Sequence, residues 1–318
     1  HVPSEYLAAT EPVIAAGSGS VAGLAVETPE TLSSAYVQKL LKADRPVVAK
    51  ISPDKQALLE RHLFDGSYKG ITDLVTKWVW PAPARAVVRA CVTLGIRPNA
   101  VTLTSLVLVL IVLGLFATGR FGSGLVLAWI MTFLDTVDGK LARVTIDSSA
   151  LGHALDKGID LIHPPLWYIA WGIGAFEAGR FGGSPGLLID GSVVILAGYI
   201  GGRLLEGAFD FYLGKFPIYS WQPLDSYVRL IIARRNPNLL LLTAFLIAGS
   251  PGSGMLAVAA WTAISTVFLA SRVGYAAYLR ATSGPLQSWL RHPDHSAAAA
   301  RTFSASNAGL TRALESGS

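Results

Sequence analysis

The chain has 318 residues, 52% of them hydrophobic and 15% charged, and a mean hydropathy of +0.47. Soluble domains carry about a quarter charged residues, so this composition excludes an ordinary soluble enzyme and points to an integral membrane protein. The net charge of +5 does not call for a nucleic-acid partner, because the cytoplasmic flanks of membrane helices collect Lys and Arg, and the single cysteine, Cys91, excludes an internal disulfide.

Residues 1–66 are polar or rich in Ala, Gly and Ser and read as an N-terminal cytoplasmic extension. The opening stretch "HVPSEYLAATEPVIAAGSGS" has no basic n-region and does not read as a signal peptide. Two short amphipathic helices are expected here, over Thr28 to Ala43 (capped by Thr28 or Thr31) and over Asp54 to Phe64. No glycine-rich phosphate loop of the Walker type is present. Residues 67–97 mix Tyr68, Trp78 and Trp80 with Lys69, Lys77, Arg85 and Arg89. Aromatics and cations around an apolar face predict an amphipathic helix lying in the membrane interface; a soluble helix packed on the next domain is the alternative.

Six spans follow, making residues 98–280 a six-helix membrane domain: Val101 to Thr118, Leu125 to Arg143, Ala150 to Phe176, Leu187 to Leu213, Leu239 to Ala248 and Met255 to Ala276. A span needs roughly 20 apolar residues. The fifth is short unless it reaches back toward Tyr227, and Pro237 then predicts a kink or break. The expected fold is thus all-α and polytopic, with an N-terminal interfacial helix. Only Arg120 and Arg180 stand in the loops on one side, whereas Arg85, Arg89, Arg97, Lys140, Arg143, Lys215, Arg229, Arg234, Arg235, Arg272 and Arg280 fall on the other. By the positive-inside rule both termini are expected in the cytoplasm. Residues 281–318 are polar and low in complexity, a disordered tail by composition, in which His292 and His295 are more simply solvated than metal ligands.

The chemistry concentrates in "FLDTVDGKLARVTIDSSALGHALDKGIDLIHPP", residues 133–165. Asp135 and Asp138 are three apart and Asp156 and Asp160 four apart, so each pair shares a helix face. A short turn joins the two helices, and all four carboxylates can converge between them. Four like charges need compensation. Divalent cations supply it, and an oxygen-only set favours Mg²⁺, Mn²⁺ or Ca²⁺. His153 and His163 are set aside as ligands, since the carboxylates suffice. Asp147, in the turn, is expected to cap the following helix. Gly139, Ala142, Gly152 and also Gly158 are small, either for helix packing or to leave room for a flat ligand. Pairing of the carboxylates with Lys140, Arg143 and Lys157 is the plainer alternative. Intramembrane ionisable residues are functional by default.

The pattern Asp135-x2-Asp138-Gly139-x2-Ala142-Arg143-x8-Gly152-x3-Asp156-x3-Asp160 resembles the signature of the CDP-alcohol phosphotransferases, with every fixed position present. "RPNAVT", Arg97 to Thr102, is similar to the Pro-Asn-x-x-Thr that opens the first span in that family. The resemblance covers about residues 67–280. It implies six transmembrane helices, a homodimer, and transfer of a phospho-alcohol from a CDP-alcohol to an acceptor hydroxyl with release of CMP. It implies two divalent cations, Mg²⁺ or Mn²⁺: Asp135 and Asp156 bridge both, Asp138 binds one, and Asp160 binds the other and serves as general base. Pro98, Asn99, Thr102, Gly139, Ala142, Arg143, Ser149 and Gly152 line the nucleotide and pyrophosphate site.

Further along, Arg203, Glu206 and Asp210 fall on one helical face, followed by Arg229, Arg234 and Arg235. An Arg203–Glu206 ion pair and cytoplasmic anchoring form one reading. An acceptor pocket of Arg203, Arg229, Arg234 and Arg235 is the other, suited to a phosphorylated polyol. The stretch leading into the spans is also similar to the membrane half of enzymes that use CDP-inositol. Those often carry a fused cytidylyltransferase, for which 66 residues are too few. The resemblance thus implies CDP-diacylglycerol or a CDP-polyol such as CDP-inositol as donor. Two other functions remain open: a divalent-cation transporter using the Asp cluster, which does not need the small residues or Arg143, and an inactive lipid-binding scaffold, against which four intact Asp count.

Overall fold

The computed structural model describes residues 36–37, 40, 42–43, 53, 56–147, 149–291 and 302–303. Two compact units divide the chain, residues 71–288 and residues 1–70 with 289–318. In the latter, two-residue strands β1 (Tyr36–Val37) and β2 (Lys42–Ala43) pair antiparallel, with Tyr36 opposite Ala43. The helix expected over 28–43 is therefore not formed at these four positions. Tyr36 and Val37 favour extended backbone, and the short pairing overrides the helical pattern. The rest of that stretch, and His292 and His295, lie outside the described residues. The second expected helix is present as α1 (Gln56–Gly66), which buries Phe64.

Residues 71–288 are helical: a π-turn over Val75–Val79, then α2 (Pro81–Thr93), α3 (Pro98–Ala117), α4 (Phe121–Thr145), α5 (Ala150–Glu177) and α6 (Pro185–Ala208), which continues as a π-turn over Phe209–Gly214. After a 3₁₀ turn at Ile218–Ser220 come α7 (Pro223–Ile231), α8 (Arg235–Ile247) and α9 (Pro251–Ser283). Five of these begin with proline in the first two positions, where the missing N–H would have had no helical partner anyway. Gly119 and Gly179, at positive φ, end α3 and α5.

Helix α3, helix α6 with its continuation to Gly214, and helix α9 are long and apolar enough to cross a membrane. Helices α7 and α8 together form a fourth candidate, bent by 43°. Helices α4 and α5 match them in length, but carry the carboxylates, Lys140, Arg143, Lys157 and His163. Leu103, Leu110, Val126, Ile189, Leu204 and Val267 are exposed, an apolar surface suited to lipid. The chain is an integral membrane protein whose helices coincide with the six expected segments.

The break in the α7–α8 segment lies at residues 232–234, not at Pro237. Pro237 sits in the first turn of α8, where no intrahelical N–H is required. Side chains of α9 satisfy the broken backbone: Ser265 Oγ accepts from Ala233 N at 3.0 Å and Trp261 Nε1 donates to Ile231 O at 2.8 Å. Irregular backbone at membrane depth needs such partners.

Helix α5 packs on α3, α6 and α9. Trp167 and Trp171 are fully buried on it and meet Phe116 of α3 edge-on. Their indole N–H groups donate to Val109 O (3.0 Å) and Pro251 O (2.8 Å), so two large rings are buried without an orphan donor. The contact with α3 depends on Gly174, where a Cβ would stand 1.9 Å from Phe116 O. Close helix approach through a small residue is the general solution in lipid, where no hydrophobic force draws helices together. Gly174→Ala must push α3 and α5 apart. We expect a loss of about 1–3 kcal/mol, as for overpacking, read as a lower thermal midpoint in detergent, despite alanine's better helix propensity.

Candidate functional site

Helices α4 and α5 both pack on α3, and a short turn joins them. The cap of α5 is Ser149, not Asp147: Ser149 Oγ accepts from Gly152 N at 2.9 Å, and Asp147 is exposed. Ser149 Oγ also donates to Asn99 Oδ1 at 3.0 Å, which ties the start of α5 to the start of α3. A Cβ on Gly152 would lie 2.2 Å from Asn99 Oδ1, so this position accepts only glycine while Asn99 stays. Pro98 opens α3, and Thr102 one turn later donates to Asp138 Oδ2 at 2.6 Å. A Cβ on Gly139 would press on the Arg143 guanidinium at 3.2 Å, whereas one on Gly158 would meet open space. Ala142 is half-buried on the same helix.

One oxygen each from Asp135, Asp156 and Asp160 lies within 4.8 Å of the others. Asp138 is not in this set: it is buried and held by Thr102, one turn further along α4. Thus three of the four carboxylates expected at one point converge there. The fourth is drawn to α3 by a hydroxyl sequence spacing does not pair with it. His163 is buried against Trp167, its ring centre 4.7 Å from that ring. The side chain of His153 lies outside the described residues.

The cation on the cluster comes from elsewhere in the chain. Arg235, the first residue of α8, donates through Nη1 to Asp160 Oδ1 (2.6 Å) and through Nη2 to Asp135 Oδ2. The residues beside it are pinned. Arg234 donates to both oxygens of Glu206, at 2.7 and 2.6 Å. Asn236 Nδ2 donates to Asp73 Oδ1 (2.9 Å) and Thr76 Oγ1 (3.1 Å). Asp73, before the first π-turn, also accepts from the backbone of Val75 and Thr76. Burial alone would raise its carboxyl. Arg229 and the hydrogen bonds from Thr76 and Asn236 outweigh that and hold it below the ordinary 3.8.

Two prolines, Pro164 and Pro165, stand inside α5 just past Asp160. Pro164 has no N–H for the carbonyl four residues back, which is that of Asp160. The Tyr199 hydroxyl of α6 donates to this carbonyl at 2.9 Å. Tyr199 also borders a small recess lined by Arg203, Glu206, Tyr219 and Arg234. Glu206 pairs with Arg203 (2.9 Å) and Arg234 and accepts from the Tyr219 hydroxyl. Burial, followed by the Glu206 charge, pushes the Tyr219 phenol up to about 12. Arg229 and Arg234 each stand 5.5 Å from the Tyr219 ring centre. Of the four arginines expected around an acceptor, Arg203 and Arg234 line this recess, Arg229 packs on Tyr219, and Arg235 reaches the carboxylates instead. Tyr199, Tyr219, Asp73 and Asn236 are absent from the sequence-based set. For Tyr199 a signal existed: a proline inside a predicted helix leaves a carbonyl that must be satisfied.

Asp73 gives a prediction with a sign. A carboxyl whose folded value is depressed contributes stability above its unfolded value, and that contribution is lost as pH falls through the folded value. Asp73→Asn should lower the thermal midpoint at neutral pH, by the equivalent of about 1.5–3 kcal/mol for a charged hydrogen-bonded group. The gap to the parent chain should close in acid below the ordinary 3.8.

Comparison with known proteins adds one finding on this geometry. Residues 95–200 match the family model described as CDP-alcohol phosphatidyltransferase, a stretch that takes in α3, α4, α5 and most of α6, with the whole carboxylate motif. No match is found among curated proteins. Phosphotransfer from a CDP-alcohol is the chemistry of that family, and residues 95–200 of this membrane protein are similar to its CDP-alcohol phosphatidyltransferase domain.

Proposed function

We propose that the protein transfers a phospho-alcohol from a CDP-alcohol to an acceptor hydroxyl and releases CMP. The observation that carries this reading is the approach of Asp135, Asp156 and Asp160 to within 4.8 Å on two neighbouring helices, inside the matched segment. An all-carboxylate donor set at that range fits hard divalent cations, Mg²⁺ or Mn²⁺. Bound there, such ions supply charge stabilisation to the pyrophosphate oxygens. We assign Asp135, Asp156 and Asp160 to their binding and Asp138, held by Thr102, to the second ion of a two-metal site.

The remaining work falls to the chain's own side chains. Pro98, Asn99, Thr102, Gly139, Ala142, Arg143, Ser149 and Gly152 surround the mouth of α3, α4 and α5, and we place the nucleotide and pyrophosphate there. The bare backbone at Gly152 lets Asn99 and Ser149 pack close at this mouth, which supports a shared role for the three. Asp160 is 46% exposed against 19% for Asp135, so it is the carboxylate with room for an incoming hydroxyl. It takes the acceptor's proton as the acceptor oxygen bonds to the phosphorus bearing the alcohol. The bond from that phosphorus to the CMP oxygen breaks, and its electrons leave with CMP. Positioning and electrostatics carry most of such a transfer.

The recess beside Tyr199 is our acceptor site. Arg203 and Arg234 share one carboxylate, Glu206, and Arg229 stands close by, which leaves positive charge for a phosphorylated acceptor. Six spans, a cytoplasmic site and termini, and a homodimer complete the proposal, with the cation asymmetry of the loops in support of the orientation. The carboxylate cluster by itself does not indicate transport.

The test is release of CMP from a panel of CDP-alcohols, CDP-diacylglycerol and CDP-inositol included, against neutral and phosphorylated acceptors. Release should require Mg²⁺ or Mn²⁺ and an acceptor. Asp160→Asn should lower turnover by roughly 10²–10⁴-fold, the worth of a general base, while donor binding persists. Normal turnover in that variant would refute the base assignment.

A further inference from the structure

We propose that Arg235 is a built-in competitor of the metal: its guanidinium and a divalent cation compete for the same carboxylates, so Arg235 limits how tightly the site holds its ion. The inference rests on the metal reading of the Asp cluster given above.

Three observations carry it. First, Arg235 forks across Asp135 and Asp160, two of the three converging carboxylates, and does so through its two terminal nitrogens. The fork takes one oxygen of each carboxylate, so a cation drawn to the same pair meets the guanidinium's like charge at close range. Second, the backbone that delivers the fork is fixed on both sides, so only the side chain's own torsions are left to change. Arg234 is anchored on Glu206, and Asn236 on Asp73 and Thr76, at the 43° break between α7 and α8. The guanidinium is therefore presented at a set place on an anchored backbone. Third, Arg235 Nε is buried without a hydrogen-bond partner. A buried donor left unpaired is a standing cost of the forked position, which lowers the penalty for leaving it.

The arrangement also separates Arg235 from its neighbour in sequence. Arg234 turns to the recess and Arg235 to the carboxylates, so one break in the chain serves both places. Arg235 is thus a positioning residue for metal loading and not part of the recess.

Mn²⁺ binding tests this without any turnover. Purified full-length protein is titrated with Mn²⁺ alone and free ion is followed by electron paramagnetic resonance, at a pH well above the carboxylate range. Removing one like charge about 4 Å from a divalent ion should tighten binding by at least about thirtyfold, twice the ~1 kcal/mol that a unit pair is worth at that range in a watery dielectric. Arg235→Gln is expected to show that gain. Arg235→Lys, which keeps a charge but cannot fork both carboxylates, should fall between it and the parent chain. Unchanged or weaker Mn²⁺ binding in Arg235→Gln would overturn the proposal, the weaker result meaning that Arg235 holds the ligands in place for the ion. Should Arg235→Gln fail to fold, Arg235→Lys decides alone: tighter binding supports competition, equal or weaker binding overturns it. If the parent chain and both variants bind no Mn²⁺, the metal reading itself fails, a result distinct from unchanged affinity in a chain that binds.

Discussion

Two carboxylates about 4 Å apart repel by about 4 kcal/mol at an effective dielectric of about 20. Asp135, Asp156 and Asp160 stand that close on helices packed among other apolar helices. Such a group persists only if positive charge is supplied. Helix packing alone would drive it apart, since each carboxylate sits on a flexible side chain that can turn away. In this structure Arg235 supplies part of the charge from across the fold. In the proposed enzyme divalent ions would take over that role in Arg235's place.

The rest of the domain brings these side chains to one place and keeps them there. Helix α5 is locked to α3 and α9 by Trp167, Trp171 and the bare backbone at Gly174. Its N-terminus is locked to α3 through Ser149 and Asn99. Between those two locks lie Asp156 and Asp160. Pro164 opens the helical ladder at Asp160, and Tyr199 closes it from α6. The main chain at the proposed base is therefore held by a residue that also borders the recess assigned to the acceptor.

What was legible in the sequence was local. The i, i+3 and i, i+4 spacings place Asp135 with Asp138 and Asp156 with Asp160 on single faces, and the apolar runs locate the helices to within a few residues. What was not legible depends on contacts distant in the chain. Arg235 lies 100 residues from Asp135, and no periodicity joins them. Glu206 reads as the partner of Arg203, three residues away, yet it takes Arg234 as well. Asp138 leaves its expected partners because Thr102 reaches it from α3. Local rules also competed. Pro237 signals a break, but a proline in a first helical turn is equally regular, and α9 side chains decide where the chain bends. Asp147 and Ser149 are both good caps, and the link to Asn99 selects Ser149.

The central claim is that a cation belongs between α4 and α5. Its most direct test is anomalous X-ray scattering from crystals of the full chain grown with Mn²⁺. The account predicts a manganese peak flanked by Asp135, Asp156 and Asp160, at about 2.0–2.2 Å from their oxygens, the range of hard octahedral ions. A peak elsewhere with these three carboxylates bare would contradict it, as would no peak at saturating Mn²⁺.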